Sequence, residues 1–188
     1  ARINAIFEGT NEILRLFVAL SGMQERGEYL KKIGKALKDP IKGFGVLSGY
    51  AASYVKDRLT RERIQQVDAS IAESKALFEN WAKNLHITVE RVLMKYGKNI
   101  IQKQIIQKRL ADAMINLYGM IAVLSRTDKY IKMKGVDKCK KEITYCNAFC
   151  NQAWRLVRRN LLMVDKNDEV STLEIAEIIS EEEQYKIN

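Results

Sequence analysis

A glutamate followed by a glycine and a threonine, Glu8-Gly9-Thr10, is the first group of residues in this chain that could do chemistry. Glycine lets a ligand or another backbone approach closely. A helix that begins after Thr10 would present free backbone N–H groups to an anion such as a pyrophosphate. The arrangement suits a general base beside a bound phosphate group. The three residues alone equally fit a loop carboxylate that caps the next helix, and that plainer role is the commoner one.

Three cysteines, Cys139, Cys146 and Cys150, lie in one stretch and would share one face of a helix. Their odd number argues against a disulfide framework and favours a reducing, cytoplasmic setting. A soft-metal site would need a fourth ligand nearby, and His86 is the only histidine of the chain. We therefore interpret the cysteines as small core residues and expect no metal site.

Helical periodicity runs through most of the 188 residues, and the chain has one proline and ten glycines. Few turn residues exclude a sandwich or barrel of many short strands. The sequence predicts helices at Thr10 to Gly22–Gly27, Tyr29 to Leu37, Leu47 to Leu59, Ser70 to Gly97, Asn99 to Tyr130, Val136 to Val164, and after Ser171. Two of these helices begin with a capping-box pattern, Ser70-x-x-Glu73 and Ser171-x-x-Glu174. We predict an all-α fold, a helical bundle with three long antiparallel helices plus shorter flanking helices.

Charge is unevenly distributed along the chain. The net charge is +9, but the segment from Asp165 onward has two basic and eight acidic residues and carries −6, so the preceding part carries +15. A basic bundle that binds nucleic acid is one alternative, although no zinc-finger, basic-zipper or RNP-like pattern is present and we expect no nucleic-acid partner. No apolar run is long enough to span a bilayer, and the N-terminus, without an initiating Met, resembles a segment cut from a longer polypeptide.

Two separated segments resemble the acyl-CoA dehydrogenase family. Residues 1–16, ARINAIFEGTNEILRL, are similar to the active-site segment, in which an aromatic residue, Glu-Gly-Thr and a helix follow one another. Residues 108–126, KRLADAMINLYGMIAVLSR, look like the additional C-terminal domain of the very-long-chain branch. The resemblance is weak at about residues 38–67 and in the acidic tail. It implies that residues 1–27 are the catalytic loop and last helix of a dehydrogenase core, and that residues 28–188 are an appended helical domain.

The resemblance also implies a reaction. The parent enzyme would catalyse α,β-dehydrogenation of a long-chain fatty acyl-CoA in β-oxidation, with Glu8 removing the α-proton while a hydride passes to FAD. Gly9 would border the substrate, and Thr10, Asn11 and Glu12 would contact FAD. Because the other parts of the flavin and acyl pockets are absent from these residues, we expect the chain alone to be inactive and to bind no FAD. Helix one would then expose Leu14 and Val18.

Partners follow from the same resemblance: long-chain acyl-CoA, electron-transfer flavoprotein and a second copy in a parent homodimer. A non-catalytic assembly or membrane-docking helical module is the alternative, since assembly relatives keep the Glu-Gly-Thr segment. We also predict that residues 28–63 dock on an anionic membrane surface, because Tyr29, Leu30, Ile33 and Leu37 recur at helical spacing with lysines beside them. Two ordinary amphipathic helices packed on the bundle would give the same pattern. The lysines are Lys31, Lys32, Lys35 and Lys38.

Overall fold

The computed structural model describes residues 10–38, 45–46, 48–53, 64 and 66–182. Its five main helices are α1 (Asn11–Ala36), α2 (Ala72–Tyr96), α3 (Gln104–Lys134), α4 (Lys140–Leu162) and α5 (Glu169–Glu182). Short 3-10 turns precede α2, α3 and α4 at Ala69–Ile71, Gly97–Gln102 and Val136–Cys139. The part of the chain that the structure describes contains no strand, so the predicted all-α class is confirmed.

The three long helices α2, α3 and α4 form an up-down-up bundle. Gly119 of α3 lies against Phe149 of α4, while Arg109 near the start of α3 contacts Met163 just beyond the end of α4, as antiparallel helices require. The turns between the helices use glycines with positive φ, Gly97 (53°) and Gly135 (83°), a conformation that other residues rarely adopt. Gly97 ends α2 where the sequence predicts.

Apolar residues at helical spacing form one core between these helices. Fully buried members include Ile106, Leu110 and Met120 of α3, with α1 contributing Ala19 and Met23. Cys139, Cys146 and Cys150 are also buried in this core, which confirms their interpretation as core residues. Burial of each large side chain of this kind favours folding by about 1.5–3 kcal/mol.

Helix α1 is one helix of 26 residues, so the prediction that it ends near Gly22–Gly27 and that a second helix follows is wrong. The reason is that neither glycine adopts a positive φ, which among the described glycines is found at Gly97 and Gly135, so both keep the helical backbone. A Cβ at Gly22 would lie 2.8 Å from the sulfur of Met114, so this glycine allows close approach of α3, whereas a Cβ at Gly27 would make only an ordinary contact, 4.0 Å from Leu93. The proposed boundary between residues 27 and 28 falls inside this continuous helix.

Two helix starts differ from the predicted capping boxes. Asp68, not Ser70, caps the turn before α2, and its carboxylate accepts a hydrogen bond from the Ser70 backbone N–H at 2.9 Å. Asn167 likewise accepts from the Glu169 N–H at 3.0 Å, so α5 begins two residues before Ser171. Residues 48–53 of the predicted Leu47–Leu59 helix are helical, while Tyr54, Val55 and Leu59 lie outside the described residues.

Candidate active-site segment

Thr10 caps the N-terminus of α1, as the sequence predicts. Its backbone is extended, and its hydroxyl accepts a hydrogen bond from the Ile13 N–H at 3.4 Å. Asn11 and Glu12 are exposed in the first turn, where the positive end of the helix dipole favours anions and carboxylates. Glu8 and Gly9, the predicted base and substrate neighbour, lie outside the described residues. The described part of the segment is thus a capped, exposed helix start.

A long-range ion pair fixes this helix start on the bundle. The Arg15 Nε donates to Asp112 of α3 at 2.7 Å, and another nitrogen of Arg15 lies 3.8 Å from Glu12. Arg15 and Asp112 are both partly buried, which strengthens a charge-assisted hydrogen bond. The pair joins the two segments that carry the family resemblance. The pair is not predictable from the sequence, because a contact between residues 97 positions apart has no periodic signal in one sequence.

The outer side of α1 exposes apolar surface near its start. Ile13, Leu14 and Phe17 are 61%, 44% and 67% exposed. Leu14 therefore behaves as expected, whereas Val18 is half-buried and packs against the core of this chain. An apolar patch at the start of a helix that follows a candidate catalytic loop is suited to contact further protein.

A second charged cluster ties the other half of α1 to α2. Glu90 is only 2% exposed, and its carboxylate accepts hydrogen bonds from Arg26 at 2.9 Å and from the Tyr50 hydroxyl at 3.1 Å. Arg26 also lies over the ring of Tyr29, with 5.0 Å between its guanidinium and the ring centroid. Arg26 and Glu90 thus pair with each other, and the hydrogen bond from Tyr50 holds residues 48–53 against α2. The cluster is explained by this structural role and needs no ligand.

The buried thiols of α4 also have internal partners. A hydrogen bond from the Cys150 thiol lowers the pKa of Cys146 to about 7, against the opposing effect of burial. The same hydrogen bond and burial raise the pKa of Cys150. Among the described residues no group of three or more His, Cys, Asp or Glu side chains is placed to bind a metal ion. His86 lies half-buried in α2.

The structure also shows the character of the predicted membrane segment. Lys31, Lys32, Lys35 and Lys38 are all exposed, but Ile33 is buried in the bundle. In the described part of residues 28–63, which leaves out 39–44, 47 and 54–63, Leu37 and Val46 are exposed large apolar residues. No helix in the described parts of the chain is both long enough and apolar enough to cross a membrane. This stretch therefore offers mainly charge to an anionic surface.

Comparisons with known proteins agree on one family. Residues 69–185 match the family described as "ACAD9/ACADV, C-terminal domain". The chain is 35% identical over 178 residues to the very long-chain specific acyl-CoA dehydrogenase, mitochondrial, of Rattus norvegicus, an alignment that covers 92% of this chain and 27% of that protein. The corresponding protein of Homo sapiens is 35% identical over 166 residues, which cover 85% of this chain and 25% of that protein.

A solved structure gives the same result for the fold. The crystal structure of acyl-CoA dehydrogenase complexed with FAD from Bacillus anthracis superposes with a TM-score of 0.64 and 27% identity, and the match covers 100% of this chain and 29% of that one. The chain therefore spans little more than a quarter of the length of these relatives.

Proposed function

This chain belongs to the ACAD9/ACADV C-terminal domain family, the C-terminal part of acyl-CoA dehydrogenases, and on that premise we propose that it is the C-terminal part of an FAD-dependent acyl-CoA dehydrogenase in which Glu8 is the base. The similarity to an acyl-CoA dehydrogenase complexed with FAD supports the proposal most directly, because that match covers 100% of this chain and so takes in the Glu8 segment as well as the appended helices.

Glu8 would remove the α-proton of the acyl thioester. Such a proton is too weakly acidic for an ordinary carboxylate, so the parent must raise the pKa of this glutamate by burial and must stabilise the enolate with hydrogen bonds to the carbonyl oxygen. Gly9 would allow the substrate to approach, since it carries no side chain. When bound, FAD supplies the hydride acceptor for the β-carbon.

Thr10, Asn11 and Glu12 fit one edge of a flavin site. They form an exposed, capped helix start, where backbone N–H groups and polar side chains suit the phosphate or hydroxyl groups of a dinucleotide. The Arg15–Asp112 pair would position that edge by holding α1 on α3. We assign Arg15 a positioning role only, because its guanidinium is already engaged by Asp112.

The substrate class, partners and compartment are parts of the same proposal. The preference for long acyl chains is supported by the relatives whose names call them very long-chain specific. Electron-transfer flavoprotein as electron acceptor and a parent homodimer follow from the family resemblance. A cytoplasmic location is supported only by the three free, buried thiols, and anionic membrane docking by the four exposed lysines of α1 and the residues after it.

The substitution Glu8→Gln in the full parent protein tests the proposed base. The amide keeps the shape of the side chain but cannot accept the proton. FAD content should therefore stay unchanged, while the rate at which acyl-CoA bleaches the flavin should fall by about 10²–10⁴-fold or more. Glu25→Gln, at an exposed position of α1, is the matched control and should bleach like wild type. Wild-type bleaching by the Glu8→Gln protein would assign the base to another residue.

A further inference from the structure

Arg15 lies between two carboxylates that come from different helices. Its Nε donates to Asp112 of α3 at 2.7 Å, whereas its Nη1 lies 3.8 Å from Glu12 in the first turn of α1. The first contact is a hydrogen bond of ordinary length, and the second is too long to be one. The guanidinium is therefore engaged by α3, and the carboxylate of its own helix stays outside that hydrogen bond.

The two carboxylates also differ in exposure. The side chain of Asp112 is 25% exposed and that of Arg15 is 29% exposed, whereas the side chain of Glu12 is 75% exposed. A charge-assisted hydrogen bond between mostly buried groups is strong, because little water competes for it. An exposed ion pair within one helix contributes little. Asp112 is thus the stronger of two competing partners of Arg15.

Helix α1 does not depend on this pair alone for its place on α3. Ala19 and Met23 of α1 are buried in the core, and Gly22 allows close approach of Met114. These contacts lie about one to two helical turns beyond Arg15. Loss of the ion pair should therefore loosen the start of the helix without detaching α1 from the bundle.

The proposed flavin edge needs a Glu12 carboxylate that is free to accept. A carboxylate only accepts hydrogen bonds and repels phosphate, so a dinucleotide would meet Glu12 through a hydroxyl group. An arginine can bind a carboxylate through two parallel N–H···O bonds that occupy both oxygens. If Arg15 turned to Glu12 in this way, fewer acceptor positions would be left for the hydroxyl group.

We propose that Asp112 is a positioning residue, which keeps Arg15 engaged by α3 and thereby keeps Glu12 free to accept a hydrogen bond from a hydroxyl group of FAD. This inference rests on the proposed function, because it takes Glu12 as a flavin contact. Asp112 lies within residues 69–185, the part that matches the C-terminal domain family, and Glu12 lies before it. A residue of the C-terminal domain thus controls how tightly the parent enzyme holds its flavin.

Three variants of the full parent protein separate this role from simple anchoring of α1. Each protein is freed of FAD and titrated with it, so that flavin fluorescence gives the Kd. Asp112→Ala should raise the Kd by at least about tenfold, because Arg15 then pairs with Glu12 and the flavin loses a hydrogen bond to a charged acceptor. Arg15→Gln and the double variant Asp112→Ala/Arg15→Gln should stay within about threefold of wild type, because Glu12 is free in both.

The melting temperature is measured in parallel. Asp112→Ala and Arg15→Gln should lower the Tm by similar amounts, because each breaks the same hydrogen bond. The effects on Tm and on the Kd should therefore separate in these two variants. Asp112→Asn, which keeps the shape of the side chain and loses its charge, should raise the Kd in the same direction as Asp112→Ala and serves if the alanine variant does not fold.

Two further variants check the flavin contact and the specificity of the effect. Glu12→Ala removes the acceptor and should raise the Kd as Asp112→Ala does. The control is Asp165→Ala, which breaks another long-range arginine–aspartate pair, that with Arg91 of α2, and involves no residue of α1 or α3. It should leave the Kd unchanged.

Equal increases in the Kd for Asp112→Ala and Arg15→Gln would overturn the proposal, because a pair that only anchors α1 fails when either partner is lost. A double variant that binds FAD as weakly as Asp112→Ala, or an unchanged Kd in Glu12→Ala, would also overturn it. In each of these cases a wild-type parent that binds FAD leaves the proposed function standing. A wild-type parent that binds no FAD would overturn the proposed function and this inference with it.

Discussion

At the scale of single residues, Glu90 is the charged group whose removal should destabilise the fold most. It is almost completely buried and accepts hydrogen bonds from Arg26 and Tyr50. Glu90→Ala leaves the Arg26 charge without this partner, so we expect the free energy of unfolding to fall by about 3–5 kcal/mol. Urea denaturation measures this. Asp137→Asn, which removes an exposed pair with Lys140, is the control and should change stability by about 1 kcal/mol or less. Equal decreases in the free energy of unfolding for the two variants would mean that burial does not determine how much Glu90 contributes to stability.

Residue roles were predictable from the sequence where they are local. Thr10 as a cap and the cysteines as core residues follow from neighbours within one or two helical turns, and both are confirmed. The partners of Arg15 and Glu90 were not predictable, because each pair joins helices far apart in the chain. The roles of Glu8 and Gly9 stay predictions.

At the scale of helices, the start of α2 depends on a charged cap. Hydrogen bonds from the Ser70 side chain and backbone N–H lower the pKa of Asp68 below its usual 3.8. Because the pKa of Asp68 is lower in the folded chain than in the unfolded chain, the ionised cap stabilises the fold at pH values above the pKa of the unfolded chain. This contribution is lost as the pH falls through the pKa of Asp68 in the folded chain. Asp68→Ala should therefore lower the Tm at neutral pH, and its difference from wild type should shrink below about pH 4. A difference in Tm that does not change with pH would contradict capping by the ionised Asp68 carboxylate.

Membrane docking belongs to the second half of α1 and the residues that follow it. Replacing Lys31, Lys32, Lys35 and Lys38 with Gln should reduce co-sedimentation with anionic vesicles, since each basic residue near such a surface contributes about 1 kcal/mol. Because Ile33 is buried, binding should be mainly electrostatic and should weaken steeply with salt. The control replaces Lys129 and Lys141, which lie elsewhere on the bundle. Equal recovery with neutral vesicles, or no effect of the four replacements, would remove the prediction.

Helix boundaries were predictable only in part. Gly97 ends α2 as predicted because its positive φ stops the helix. Gly22 and Gly27 do not end α1, because neither adopts a positive φ, and a sequence does not show which glycine will adopt one. At both predicted capping boxes the structure instead has an earlier cap, Asp68 two residues before Ser70 and Asn167 four residues before Ser171, which accept from the N–H groups of Ser70 and Glu169.

At the scale of the whole molecule, we propose that the chain supplies one edge of an active site and the helices that hold it. The flavin and acyl pockets of the proposed enzyme need further protein, which the exposed Ile13, Leu14 and Phe17 are suited to contact. The 188-residue chain should therefore purify colourless and without dehydrogenase activity. Its absorbance spectrum after purification checks this. A yellow protein with one flavin bound per chain would contradict the assignment of the flavin pocket to further protein.

The bundle itself was predictable from periodicity, because three long helices with short connections have few ways to bury their apolar faces. The family was recognisable from two segments in the correct order, and the contact of Arg15 with Asp112 shows that these segments meet in space. The exposed position of α5 was not predictable, since its pattern resembles that of a helix packed on its own bundle.

We propose that this chain completes an FAD-dependent acyl-CoA dehydrogenase. An anaerobic titration of the full parent protein with a long-chain acyl-CoA tests it most directly, with the flavin absorbance followed during the titration. We expect one bound FAD per parent chain and bleaching that saturates with the substrate. A parent protein that binds no flavin, or whose flavin stays oxidised with acyl-CoA of every chain length, would contradict it.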